Sequence, residues 1–195
     1  EVGSGSHAVQ TAEIMKRFEP VLLEEKPDYV LVVGDVNSTI ACSLVAVKHG
    51  IRVAHVEAGL RSFDRSMPEE INRILTDAIS DFLFVTEESG ILNLRNEGIP
   101  VRKIHFVGNV MIDTLMKHRQ KSEKHSKILE RLGLVSNEKK TPHTIDPYGI
   151  LTLHRPSNVD DRNTFMGILD AISEIARTLP IIFPIHPRTL KQLMV

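Results

Sequence analysis

Four places in the sequence put ionisable side chains directly after short apolar runs. The run 29–33 (YVLVV) leads into Gly34-Asp35, and the run 51–56 (IRVAHV) leads into Glu57. The run 148–153 (YGILTL) leads into His154-Arg155-Pro156-Ser157-Asn158, and 181–185 (IIFPI) into His186-Pro187-Arg188. Glu69 and Glu70 follow Pro68 at what reads as the start of a helix. Ligands of open parallel sheets bind at the carboxyl ends of the strands, so these residues form the candidate site. Carboxylates at such a rim supply general acids and bases. Arginine and histidine groups, with helix N-termini, hold the negative charge of a phosphate. The combination suits proton transfer on a phosphorylated substrate.

Taken one at a time, each residue also has a structural reading. Asp35 fits a turn or helix cap. Glu57 fits an internal ion pair with His55 and Arg61, and Glu69 a first-turn residue facing the helix dipole. His154 and His186 fit satisfied strand-end histidines. The nine histidines contain no HxxH or HExxH pattern, which argues against a metal site. The glycine of VVGDVNS belongs to no GxGxxG fingerprint, so no dinucleotide site is expected. Cys42, in an apolar helix, reads as packing.

The elements that must position these groups alternate between strand-length apolar runs and helical periodicity, the pattern of a parallel sheet with crossover helices. Residues 7–26 place Ile14, Phe18, Val21 and Leu22 on one helical stripe before Pro27-Asp28. Strands are expected at 29–33, 51–56, 82–85 and 104–107. Helices are expected at 38–49, capped by Asn37 or Ser38 and stopped by Gly50, at 68–80, and at 87–96, closed by Gly98. A helix from Asn109 carries Val110, Ile112, Leu115 and Met116 up to the charged stretch RQKSEKHSK. Residues 133–147 read as an exposed loop. A strand at 148–153, a helix at 162–179 with Phe165, Ile168, Leu169, Ile172, Ile175 and Leu179 on one face, and a strand at 181–185 complete the chain. This order describes a doubly wound sheet and the beginning of a second one, divided between residues 109 and 147.

Composition narrows the function classes. The 195 residues carry 24 Lys and Arg against 25 Asp and Glu, a net charge of −1 that argues against a nucleic-acid binder. A 42% hydrophobic and 25% charged chain is ordinarily globular. No apolar run reaches the ~18 residues of a membrane span, and EVGSGSHAVQ lacks the features of a signal peptide. One cysteine excludes an internal disulfide and multi-cysteine zinc sites, and a reducing cytoplasm is the expected compartment. The ends, Glu1 and a helix start at PRTLKQLMV, read as those of a fragment.

The stretches PDYVLVVGDVNST, HVEAGLRSFDRSMPEEINR, FVGNVMIDTL, LHRPSN and PIHPRT, in that order and over nearly the whole chain, resemble the UDP-N-acetylglucosamine 2-epimerase family. The resemblance implies an α/β, GT-B-like fold of two Rossmann-type, doubly wound parallel-sheet domains with the active site in their cleft. Residues 1–110 would form the N-terminal domain, without its first strand and loop. Residues 111–195 would begin the C-terminal domain. It also implies interconversion of UDP-GlcNAc and UDP-ManNAc, for surface polysaccharide, through loss and re-addition of UDP around a glycal. Asp35, Glu57 and Glu69 match the family's acid/base carboxylates, and His154 the histidine at the leaving diphosphate. Arg73, Arg155, Ser157, His186 and Arg188 fall at substrate-binding positions. The scheme uses no cofactor and no metal, and the full-length protein would be a homodimer without nucleic-acid or membrane partners. A hydrolysing 2-epimerase, a GT-B glycosyltransferase and an inactive fragment are the alternatives.

Overall fold

The computed structural model describes residues 2–3, 5–136 and 144–194. They form two compact units, Glu1–Arg119 and Gln120–Val195. The first contains α1 (His7–Glu25), β1 (Tyr29–Val33), α2 (Asn37–Lys48), β2 (Arg52–Ala58), α3 (Pro68–Ile79), β3 (Phe82–Val85), α4 (Glu88–Asn96) and β4 (Ile104–Phe106). Helix α5 (Val110–His125) follows, and the boundary between the units falls within it.

The four strands form one parallel sheet in the order β1-β2-β3-β4. Right-handed crossovers between strands that follow one another without reversal put successive helices on the same face. Accordingly α1 packs on α2, and α2 on α3, β1 and β2. The covered face carries Val30, Val32, Val53, His55, Leu83 and Val85 in register. There Leu83, Val85, Ala58 and Leu94 are fully buried, each large one contributing about 1.5–3 kcal/mol. Cys42 packs against the neighbouring Val32–Ala46–Val53 cluster, where burial pushes its thiol up. The opposite face presents Tyr29, Leu31 and Val33, about half exposed, and a row of rings in which Phe82 touches Tyr29 and His105.

The helix expected from residue 38 begins one residue earlier, with Val36 at the cap position and no side-chain cap. The amide of Asn37 is engaged elsewhere, donating to Gln10 Oε1 at 2.9 Å. Helix α5 runs through the charged stretch as far as His125, because Arg, Gln, Lys and Glu are good helix formers even without an apolar stripe. None of its residues is buried.

The second unit contains α6 (Ile128–Arg131), β5 (Val135–Ser136), β6 (Thr144–Ile145), β7 (Gly149–Ile150), α7 (Pro156–Val159), α8 (Arg162–Ala176), β8 (Ile181–Ile182) and α9 (Pro187–Leu193). The stretch expected as a loop at 133–147 instead carries the antiparallel pair β5–β6, and residues 137–143 lie outside those described. Strands β7 and β8 are parallel and shorter than expected, although the ladder continues from Leu151 N–H to Ile182 O. Helix α8 starts where expected, with Asp161 capping Thr164 N–H at 2.8 Å, and ends at Ala176, ahead of Leu179. Phe165, Val159 and Leu153 form its core with Ile168, Leu169 and Phe183.

Two backbone devices shape the first unit beside the strand ends. Gly59 (φ 80°) follows β2 and meets α4 backbone to backbone: a Cβ there would lie 2.4 Å from the Gly90 carbonyl oxygen. The loop from Gly59 to α3 is tied to Glu70, whose carboxylate accepts Ser62 N–H and Oγ–H at 2.9 Å and Phe63 N–H at 3.0 Å. These bonds hold Phe63 in the left-handed region (φ 58°) with its ring 80% exposed. Burial works to raise the Glu70 pKa, but the Ser62 and Phe63 donors and Arg73 outweigh it and hold the carboxyl below its ordinary range.

Gly59→Ala should combine a left-handed backbone cost with overpacking, about 3–5 kcal/mol, whereas Gly98→Ala (φ 82°, open space around it) should cost only about 1–2 kcal/mol. Urea midpoints of the two variants give the comparison, and equal losses would contradict the close β2–α4 approach. Glu70→Gln should cost about 1.5–3 kcal/mol at neutral pH. Because the folded carboxyl is depressed, its contribution is present above the ordinary carboxylate range and lost as pH falls through the folded value. The wild-type midpoint should therefore drop as pH falls below the ordinary carboxylate range, and the Gln variant should show a shallower drop over the same range.

Candidate active site

In the first unit the candidate residues come together at the carboxyl ends of β1 and β2 and the start of α3. Gly34 (φ 70°) ends β1, still in the ladder through its N–H to Val56 O at 3.1 Å, and turns the chain at Asp35. The β2–β3 register shifts between Val56 and Ala58, and the bulge puts Glu57 at φ 69°. Its Oε2 sits 3.6 Å from the place a Gly34 Cβ would occupy, an ordinary contact distance that sets the carboxylate beside the Gly34 turn. Glu57 and Asp35 thus leave adjacent strands side by side. The expected ion pair of Glu57 with His55 and Arg61 is not formed: both side chains turn to Asp77 instead.

Asp35 is held at both ends. Its carboxylate meets Arg73 Nη2 at 2.6 Å, and its carbonyl accepts Asn72 Nδ2–H at 2.9 Å. Arg73 also reaches Glu70 Oε2 at 3.3 Å, while its buried Nε finds no partner among the described residues. Glu69 occupies the first turn of α3, where the helix dipole favours an anion. It faces a pocket of about 330 Å³ lined also by His7, Gln10, Ile14, Val36, Asn37, Ser38 and Asn72. Asn37 joins these walls, donating to His7 Nδ1 at 3.1 Å and accepting from Asn72 at 3.3 Å. Asp35, Glu57, Glu69 and Arg73 therefore share one neighbourhood.

Beneath them lies a buried charge cluster. Asp77 Oδ1 is 2.7 Å from His55 Nδ1, and its Oδ2 takes Arg61 Nη1 at 2.7 Å and Gly59 N–H at 3.0 Å. Arg61 is forked onto Glu97 at 2.6 and 2.7 Å. Burial works against its charge, but Glu97 and Asp77 more than offset this and hold it above the usual arginine value. The side chains of His55, Arg61 and Asp77 are at most 1% exposed.

The second unit gathers its own set. The rings of His154 and His186 meet at 5.6 Å between centroids, tilted by 38°, His154 just ahead of α7 and His186 at the cap of α9. His186 Nδ1 accepts Arg188 N–H at 3.2 Å. Arg188 is forked onto Asp160 at 2.9 Å, so its guanidinium is committed to an ion pair. Arg155 caps α7 with its side chain exposed, and Ser157 lies within that helix, its hydroxyl 3.5 Å from Asn158. Buried Thr189 donates to the Leu153 carbonyl and ties α9 to the segment leading into His154.

The residues that sequence reasoning passed over are Asn72 and Asp77 on α3, with His7, Gln10 and Asn37 around the pocket. One signal was present: Glu70, Arg73 and Asp77 recur at helical spacing in α3, a polar stripe on one face.

Comparison with known proteins places the chain among characterised relatives. The UDP-N-acetylglucosamine 2-epimerase family profile matches residues 1–195. A UDP-N-acetylglucosamine 2-epimerase of Methanococcus maripaludis is 45% identical over 194 residues, covering 98% of this chain and 51% of the relative. A UDP-2,3-diacetamido-2,3-dideoxy-D-glucuronate 2-epimerase of Pseudomonas aeruginosa is 42% identical over 192 residues, 97% of this chain and 50% of the relative. The crystal structure of Methanocaldococcus jannaschii UDP-GlcNAc 2-epimerase in complex with UDP-GlcNAc and UDP superposes with TM-score 0.86 at 46% identity, over 100% of this chain and 52% of that one. The GT-B-like α/β class expected from the sequence is the class of these neighbours. The chain spans about half the length of the relatives it matches. Matched from its first residue to its last, the chain belongs to the UDP-N-acetylglucosamine 2-epimerase family.

Proposed function

We propose that the protein containing this chain inverts carbon 2 of a UDP-2-acetamido sugar, interconverting UDP-GlcNAc and UDP-ManNAc without net hydrolysis, as a supplier of surface polysaccharide precursors. The observation that carries the reading is the placement of Asp35 and Glu57 at two adjacent strand ends, Asp35 paired with Arg73 of α3 and Glu69 in the first turn of that helix.

The chemistry explains why several carboxylates are needed. The hydrogen on carbon 2 is too weakly acidic for direct removal by a carboxylate. Departure of UDP from carbon 1 develops positive charge on the ring and makes that proton removable. One carboxylate takes it, leaving a 2-acetamidoglucal and UDP. The diphosphate then adds back at carbon 1 while a proton arrives at carbon 2 from the opposite face. Acid and base must therefore stand on two sides of one carbon, and Asp35, Glu57 and Glu69 supply candidates for both roles. The ion pair to Arg73 and the Asn72 bond fix the direction in which Asp35 points. The growing charge on the leaving diphosphate calls for preorganised cations and donors. His154, Arg155, Ser157 and His186 supply them, and Arg188 supports His186 through its backbone N–H while its guanidinium holds Asp160. Neither a metal nor a nicotinamide enters this scheme. The acting form is a homodimer in the cytoplasm.

A second substrate follows from one observation. Similarity to the Pseudomonas aeruginosa 2-epimerase extends over 97% of the chain, and that enzyme's sugar bears a second acetamido group and a carboxylate. The same carbon-2 chemistry serves either sugar, and the choice lies with contacts to carbons 3 and 6.

In the full-length protein Asp35→Asn or Glu69→Gln should lower kcat by ~10²-fold or more while KM changes little. Incubation in deuterated water should place solvent deuterium at carbon 2 of the recovered sugar nucleotide, seen by mass spectrometry and NMR. Epimerised product without deuterium would exclude the elimination route. Release of free sugar and UDP in stoichiometric amounts would assign the hydrolysing reaction instead. Parallel assays with UDP-GlcNAc and UDP-2,3-diacetamido-glucuronate distinguish the two substrates.

A further inference from the structure

The hydrogen bonds of His55 fix its charge. Its Nδ1 lies 2.7 Å from Asp77 Oδ1 and its Nε2 lies 2.8 Å from the Gly34 carbonyl oxygen. A carbonyl only accepts, and a carboxylate only accepts. A neutral ring has one N–H and one lone pair, so one of these two close contacts would set a lone pair against an oxygen in a fully buried site. Moving the proton to Asp77 would satisfy both contacts with a neutral pair, but two facts weigh against it. The carboxyl is the stronger acid of the two, and its other oxygen already receives Arg61 Nη1 and Gly59 N–H. We infer that His55 is a buried imidazolium, and that the His55–Asp77 pair is the positioning device for the acid/base carboxylates.

The charge count supports it. From β2 comes His55, from α3 Asp77, from the β2–α3 loop Arg61, and from the end of α4 Glu97. Two cations and two anions sum to zero, which lets a charged histidine persist out of water. From β1 only the Gly34 carbonyl faces the ring. The other charged groups of this region, Glu57, Glu70 and Arg73, belong to the layer above, where Arg73 is paired with Asp35 and Glu70.

The consequence for the site is geometric. His55 grips the carbonyl of Gly34, immediately before Asp35. Asp77 grips the N–H of Gly59, two residues after Glu57, whose left-handed backbone needs both flanks held. Asp77 itself rides on α3, which carries Glu69. One buried ion pair thereby sets the relative places of all three carboxylates without touching substrate.

The charge state is read from the ¹⁵N-histidine-labelled chain by two-dimensional NMR. Both His55 ring nitrogens should carry protons at pH 7. A nitrogen with a bare lone pair at pH 7 overturns the imidazolium. Glu97→Gln, a substitution at a partly exposed position, should leave net positive charge in the cluster and make His55 lose a ring proton at lower pH than in the wild type. An unshifted proton would show that the cluster does not set the charge of His55. The positioning half rests on the epimerase reading and is tested in the full-length protein. Asp77→Asn should lower kcat at least tenfold with KM within about twofold. A folded Asp77→Asn protein with unchanged kcat overturns it, and Glu97→Gln serves the same comparison, with a smaller fall in kcat, if Asp77→Asn does not fold. Absence of epimerase activity in the wild type would refute the functional reading while leaving the NMR result standing.

Discussion

A carboxylate removed from water is tolerated only when donors and opposite charge replace its hydration, and Asp77 is surrounded by both. Two cations and one backbone N–H converge on its two oxygens from β2 and the loop that follows it. Such a cluster is a poor source of net stability, since the desolvation of four charged groups consumes most of what the contacts return. What it provides is uniqueness. The Gly34 turn, the β2 bulge and α3 meet around Asp77 in an arrangement that gives both carboxylate oxygens partners. Sheet and helices supply the affinity of these layers for one another, and the ion cluster supplies their register.

Strain collects next to this anchor. Glu57 and Phe63 both adopt left-handed backbones, which side-chain-bearing residues do at a cost of about 1–3 kcal/mol each. Each is held from outside: Glu57 by the bulge and by the clamped Gly59 peptide, Phe63 by the two backbone bonds to Glu70 around it. The Gly59 peptide is fixed at both ends, its N–H on Asp77 and its carbonyl on Asn93. Backbone conformations of this kind persist where the surroundings over-determine them, and here the surroundings are the carboxylate-bearing rim.

The two units treat their candidate residues differently. In the first, the acids are rigidly ligated: Asp35 by Arg73 and Asn72, Glu70 by the loop it pins. In the second, His154, Arg155 and His186 stand exposed on short segments whose regular strands are only two residues long.

The sequence by itself determined the elements and their order. Strand β1 at 29–33, β3 at 82–85 and the start of α3 at Pro68 fall where apolar runs and Pro, Gly and acidic end signals put them, because those signals act over a few residues of local chain. The residues at the strand ends were legible for the same reason. Less so were elements without a period: the charged half of α5, and β5 and β6, too short to display alternation. The pairing of charges lay wholly beyond local reading. His55 and Arg61 stand close to Glu57 in sequence, yet their partner is Asp77, some 20 residues on, because a bulge turns Glu57 toward Gly34 while α3 folds back with its polar stripe inward. Of two adjacent acids on that helix, Glu70 is buried under the loop and Glu69 faces the open pocket. One residue along a helix is a 100° turn, and which side meets the sheet is decided by packing between segments, not by either residue's own chemistry.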